Sequence, residues 1–277
     1  MFHRASSAFL ISILFSCLYF SGCGFWPSPD SEISQLIEQF SGEYDERRLA
    51  SKELVKLGSA SVPALIKASR SENSMVRWES VNALGYIGSS EAVPALVERV
   101  LIDIDAHVRW RSIWALDAVD DGSASSLLLK HLTDDDPNVK WNAAVALSAL
   151  GGMEAVPILH EGLNTDDPWT RWEAANGLGH TYNEETPGFL ISAYEDSTIS
   201  TRQEIVLSLG RIGTPEVVPA LAKALDDEEP QVRWRAAMAL EWIGDGSAAP
   251  TIRSRLNSET DKSVIEHMEK CLNKISP

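Results

Sequence analysis

Five copies of one tripeptide hold the side chains best suited to chemistry or recognition: Val76-Arg77-Trp78, Val108-Arg109-Trp110, Val139-Lys140-Trp141, Thr170-Arg171-Trp172 and Val232-Arg233-Trp234. An indole offers a broad flat apolar face and a single N–H donor, so a row of them suits stacking and hot-spot contacts rather than proton transfer. Groups for covalent chemistry are sparse. The chain has no Gly-rich P-loop, no Gly-x-Ser-x-Gly elbow and no His-Glu-x-x-His helix. His107, His131, His180 and His267 are scattered along the chain and suit solvated or hydrogen-bonded roles. We expect no catalytic set, no metal site and no cofactor.

The spacing of the tripeptides shows what must position them. Their tryptophans are 32, 31, 31 and 62 residues apart, and Thr201-Arg202-Gln203 stands at the midpoint of the double gap. A second register, Val62-Pro63-Ala64-Leu65, Val93-Pro94-Ala95-Leu96, Val156-Pro157-Ile158-Leu159 and Val218-Pro219-Ala220-Leu221, keeps the same period, with Pro187 and Pro250 marking weaker copies. Counting Val76 as position 1, apolar or small residues recur at Ser80, Val81, Ala83, Leu84 and Ile87, a broad stripe at helical spacing. Gly58, Gly88, Gly151, Gly213 and Gly244 stand where a left-handed residue would close a helix. Asp136-Pro137 and Asp167-Pro168 place a capping acid before a proline at the first helical position, and Pro94 and its relatives open the alternate helix. The pattern predicts about eight helix pairs between residues 30 and 275.

On these residues, above all the copy from Asp226 to Gly244, the chain resembles the HEAT repeats, in particular the short type first associated with phycobilisome lyases. The resemblance implies an all-α, right-handed solenoid with proline-started helices on its convex side and Val-Arg helices lining its concave side. Physics agrees with the stacking, because no single pair can bury its own stripe. At the ends, Ile33, Leu36, Ile37 and Phe40, and Val264, Met268, Cys271, Leu272 and Ile275, supply closing stripes, with Cys271 buried. Relatives with HEAT repeats include deoxyhypusine hydroxylases, which hold two irons with several His-Glu pairs; this chain has one, His160-Glu161.

Positions 3, 4, 7 and 11 of each Val-Arg helix fall opposite the core arc and face the groove. Position 3 supplies Trp78, Trp110, Trp141, Trp172 and Trp234, while positions 7 and 11 supply Asn82, Tyr86, Trp114, Asn176 and Trp242. These ten residues are the candidate partner-binding set. A protein or peptide laid along the groove is the expected ligand, with a glycan, or an accessory role to a lyase-like or hydroxylase-like enzyme, as alternatives. Position 3 also borders the small-residue position 10 (Gly85, Asp117, Ser148, Gly179, Gly210), where an indole would instead join adjacent repeats. The basic residue at position 2 is expected to pair with the acid six residues upstream: Asp103 with Arg109, Asp134 with Lys140, Asp227 with Arg233.

The chain has 24 Lys and Arg against 40 Asp and Glu, a net charge of −16, which disfavours nucleic acid as a partner. Three cysteines, Cys17, Cys23 and Cys271, cannot build a disulfide framework. Residues 1–22 read as a signal peptide: Arg4 leads into an apolar run from Ala8 to Phe20, too short to span a bilayer. Phe20-Ser21-Gly22-Cys23 resembles the bacterial lipobox, which implies acylation of Cys23; Gly24 after it implies the outer membrane, facing the periplasm. Residues 23–29 would then be a lipidated linker, and 30–277 the solenoid.

Overall fold

The computed structural model describes residues 29–275 apart from 182 and 196. The expected signal peptide, the lipidated Cys23 and nearly all of the linker lie outside the described residues. Sixteen α-helices follow one another with no strand among the described residues. They are α1 (Pro29–Glu38), α2 (Tyr44–Leu57), α3 (Val62–Ala68), α4 (Ser74–Ile87), α5 (Val93–Ile102), α6 (Ala106–Val119), α7 (Ser123–Leu129) and α8 (Pro137–Ala149). The second half continues with α9 (Val156–Leu163), α10 (Pro168–Leu178), α11 (Thr186–Ala193), α12 (Ile199–Ile212), α13 (Val218–Ala224), α14 (Pro230–Ile243), α15 (Ala249–Leu256) and α16 (Lys262–Ile275). Odd-numbered helices form one layer and even-numbered helices, which carry the Val-Arg motif, the other, giving the eight pairs expected.

Local chemistry sets the boundaries. The side chains of Asn73, Asp105, Asp136 and Asp167 accept backbone N–H bonds at the starts of α4, α6, α8 and α10, which satisfies donors the helix leaves orphaned. Proline occupies the first turn of α3, α5, α9, α11, α13 and α15, where its missing N–H costs nothing. Gly88, Gly213 and Gly244 close α4, α12 and α14 in the left-handed region, at φ of 70°, 69° and 74°. Asp120 takes that role after α6 with φ 50°.

One continuous core runs through all eight pairs. Leu84, Leu116, Leu147, Leu178, Leu209 and Leu240 recur in the even layer and Leu65, Leu96, Leu128, Leu159, Leu190 and Leu221 in the odd layer, all fully buried or nearly so. Cys271 is buried in the closing helix, and its thiol is pushed up to about 11, first by burial and then by the nearby Glu241 carboxylate.

The position-2 arginines bind differently from the sequence expectation. Arg77 donates from Nε and Nη2 to the Asp103 carboxylate, both at 2.8 Å, and from Nη1 to the carbonyls of Ser71 and Glu72 at 3.0 Å. Arg109 takes the carbonyl of Asp103 at 2.9 Å instead of its carboxylate. The same displacement recurs at the other end, where Arg202 holds the Asp227 carboxylate at 2.9 and 3.1 Å and Arg233 takes the Asp227 carbonyl at 2.8 Å. The guanidinium groups of Arg77, Arg202 and Arg233 each stitch their own turn through backbone carbonyls and the following repeat's turn through a carboxylate, whereas Arg109 and Arg171 keep only the carbonyl bond. Asp134 departs further: its carboxylate lies 3.1 Å from His131 Nδ1 and caps Asp136 N, leaving Lys140 without it.

Candidate inter-helix groove site

The even layer presents the ten candidate residues, and the structure divides them by function in the packing. Tyr86 and Trp242 stand open, 62% and 50% exposed. The other six candidate tryptophans are half-buried. Arg111 lies over Trp78 at 4.6 Å from the ring centre, Trp141 Nε1 donates to Glu173 Oε2 at 2.8 Å, and the ring of Trp234 meets that of His267 at 5.1 Å. In all three, a position-3 indole touches position 4 of the following even helix. The expected contact with position 10 does not form. Position 10 is already the seat of the next helix's position 8: a methyl on Gly85 would come within 2.9 Å of the Ala115 Cβ, and one on Gly210 within 2.7 Å of the Ala239 Cβ. Backbone approach this close needs glycine, and the indoles that do reach position 10 come from positions 7 and 11: Trp114 over Gly85 and Trp242 beside Gly210.

Trp114 combines both behaviours. Its ring lies over Gly85, where an added methyl would meet Cζ3 at 2.7 Å, and its face borders Tyr86 edge-on at 5.1 Å. Arg111, one turn earlier, lies over the same indole at 4.9 Å. Arg111 was not among the candidates, although its spacing of 33 residues from Trp78 and three from Trp114 was visible. Beneath this group Glu79 is buried; it accepts from Arg47 Nε at 3.2 Å, yet burial outweighs that partner and raises its carboxyl above the usual range.

The middle of the even layer is built otherwise. Helix α8 is sunk: Val145 is buried and Asn142 Nδ2 reaches the Leu101 carbonyl at 3.0 Å. Above it Trp110 of α6 and Trp172 of α10 meet edge-to-face at 6.0 Å, although 62 residues separate them. Trp169, a residue the sequence reading passed over, is half exposed and stacks on Trp172 at 5.2 Å. Its position, one helical turn before Trp172, was the available signal.

Asn176 has an internal partner: its amide donates to Glu204 Oε1 at 2.9 Å, and the same oxygen takes Arg211 Nη2 at 2.6 Å. Removing that carboxylate from water requires both donors. Asn82 is half-buried between Trp78 and Tyr86 on α4. Among the described residues no group of three or more His, Cys, Asp or Glu is placed to hold a metal ion. His160, of the single His-Glu pair, stacks on Phe189 at 3.7 Å. An open concavity of about 380 Å³ beside α11 is lined by Tyr194, Arg202 and Asp227, which bond one another. Burial and the Asp227 carboxylate raise the Tyr194 hydroxyl pKa, so it serves as a donor there.

Helix pairs stacked in two layers around one core define an α-solenoid. HEAT repeats match over residues 33–117, 99–179, 125–198 and 186–273, and the chain belongs to that family. Among solved structures it is similar to YibA of Escherichia coli, with a TM-score of 0.54 and 17% identity over 99% of this chain and 98% of that one. It is also similar to the phycocyanin lyase complex of CpcE and CpcF from Nostoc sp. PCC7120, at TM-score 0.49 and 21% identity over 93% of this chain and 98% of that one. Human deoxyhypusine hydroxylase matches at TM-score 0.40 and 21% identity, covering 89% and 96% of the two chains. No curated protein sequence matches the chain.

Proposed function

We propose that this chain is a non-enzymatic scaffold that holds a protein or peptide against its even-helix face and is fixed to a bacterial envelope membrane, the outer membrane, through lipid on Cys23. One observation carries the first half: Tyr86 and Trp242 keep 62% and 50% of their surface in water on the same face that elsewhere spends its aromatics on joining repeats. Exposed rigid aromatics with a polar tip are the side chains most often used as protein-interface anchors. The apolar run ending in Ser21-Gly22-Cys23 supports the second half, since several acyl chains give the stable attachment that one does not.

The test is photo-crosslinking in cells from position 86, followed by identification of the attached protein. Tyr86→Ala and Trp242→Ala are each expected to weaken that complex by about 1 to 2 kcal/mol while changing folding stability by under about 0.5 kcal/mol. A partner retained at full strength by both variants sinks the groove reading. Separately, Cys23→Ser is expected to release the protein from detergent-extractable membranes into the soluble envelope fraction; unchanged fractionation removes the anchor.

A further inference from the structure

The amino-terminal third of the even layer differs from the rest in charge. Positions 3, 7 and 11 of α2 are Arg48, Lys52 and Lys56, all exposed. Arg48 is paired with Asp45 at 4.0 Å and Lys56 with Glu53 at 2.6 Å, whereas Lys52 has no ion pair among the described residues. The next even helix, α4, presents Trp78 and Tyr86, and α6 presents Arg111 and Trp114. In a chain of net charge −16, a contiguous cationic and aromatic surface is a local reversal of sign.

Arg111 is the centre of that surface. Two indoles hold its guanidinium, at 4.6 and 4.9 Å, and among the described residues it has no hydrogen-bond or ion-pair partner. Its N–H groups are not sealed from solvent. Glu79, whose carboxyl feels the Arg111 charge, accepts from Arg47. A guanidinium stacked by its faces and free at its edges is preorganised for bidentate recognition of a carboxylate.

From this we infer that the α2–α4–α6 segment of the groove is the docking site for an acidic, aromatic-containing peptide segment of the partner. Arg111 takes a carboxylate, Tyr86 and Trp114 take an apolar or aromatic side chain, and Lys52 supplies charge at the rim. The inference rests on the groove reading above and adds the partner's chemistry to it. A neutral apolar helix would leave the Arg111 edges and Lys52 unmatched, and a basic segment would meet like charge.

The test titrates a capped octapeptide of alternating Glu and Phe into the full chain, followed by tryptophan fluorescence, beside a Lys-Phe octapeptide and oligogalacturonate. The Glu-Phe peptide is expected to bind, more weakly as salt rises. Arg111→Gln should weaken binding roughly tenfold, and Lys52→Gln, a fully surface change, several-fold. Lys52→Gln decides the matter if Arg111→Gln fails to fold. Absence of Glu-Phe binding, equal binding of the Lys-Phe peptide, or undiminished binding by both variants overturns the inference. Preference for oligogalacturonate also overturns it and makes the occupant a glycan. With benzoylphenylalanine at position 86, capture of the same protein at equal yield in wild type and Arg111→Gln defeats the acidic-segment inference alone, whereas capture of nothing defeats the groove reading beneath it.

Discussion

Trp141→Ala is expected to destabilise the fold by about 3 to 5 kcal/mol, the range for emptying a large aromatic site in a packed seam. Two losses combine. The indole fills the space over Gly162, where even an added methyl would meet its Cζ3 at 2.6 Å. Its N–H also supplies the 2.8 Å bond to Glu173, a buried carboxylate that the alanine variant leaves without that donor. Trp141→Phe loses the N–H and the benzo edge over Gly162 but keeps part of the aromatic fill, and is expected to cost about 1.5 to 3 kcal/mol, between wild type and alanine. Urea unfolding of the two variants against wild type measures both. A cost under about 1 kcal/mol for alanine would mean the seam closes over the gap, and would return Trp141 to the set of groove-facing residues.

The contrast between Trp141 and Tyr86 shows what was legible in the sequence. Helix number, caps and the two alternating registers were readable because each depends on neighbours within a few residues: Asp136 with Asn138, Gly88 with Leu84, Pro94 with its own turn. The ten candidate residues were found by position on a wheel, which sorts a face from a core but not a seam from a surface. What sorts them is the offset between adjacent even helices, and that is set by which position-10 residue is small enough to seat the neighbour's position 8. The sunk α8 left a local sign: Ala143-Ala144-Val145-Ala146-Leu147 is apolar on every side, and such a helix is covered on every side. The meeting of Trp110 with Trp172 followed from that burial and had no signature of its own.

The acid six residues before Arg109 and Arg233 is the sharpest case, since the sequence spacing was right and the partner wrong. Its own arginine binds the carbonyl because a side chain starting in the first helical turn reaches back along the backbone of the preceding turn. The carboxylate then points out of that turn toward the earlier repeat. An intra-repeat pair would stabilise one unit; this arrangement stabilises the interface, the term on which a linear array depends.

Breaking the last such clip gives the second large effect. Arg233 donates to Glu259 through Nε and Nη2, both at 2.7 Å, with the carboxylate buried between α14 and α16. Arg233→Ala leaves that charge only the N–H groups of Thr260 and Asp261 and Arg255 at 3.7 Å, and is expected to cost about 3 kcal/mol, the lower end of the penalty for a buried pair that loses one member. The loss should localise: amide exchange in α16, the closing helix, should accelerate more than in α4. The pair also predicts an acid dependence. The Arg233 bonds lead the causes that hold Glu259 at about 2, against 4.5 for the free side chain. A depressed carboxyl favours the folded state above its unfolded value, so about 3 kcal/mol is present at neutral pH and drains away as pH falls from 4.5 through 2. Glu259→Gln cannot titrate, and the stability gap between it and wild type should therefore be full at pH 7 and close toward pH 2. A gap of constant size across that window would show that the clip acts through shape, with its charge contributing nothing.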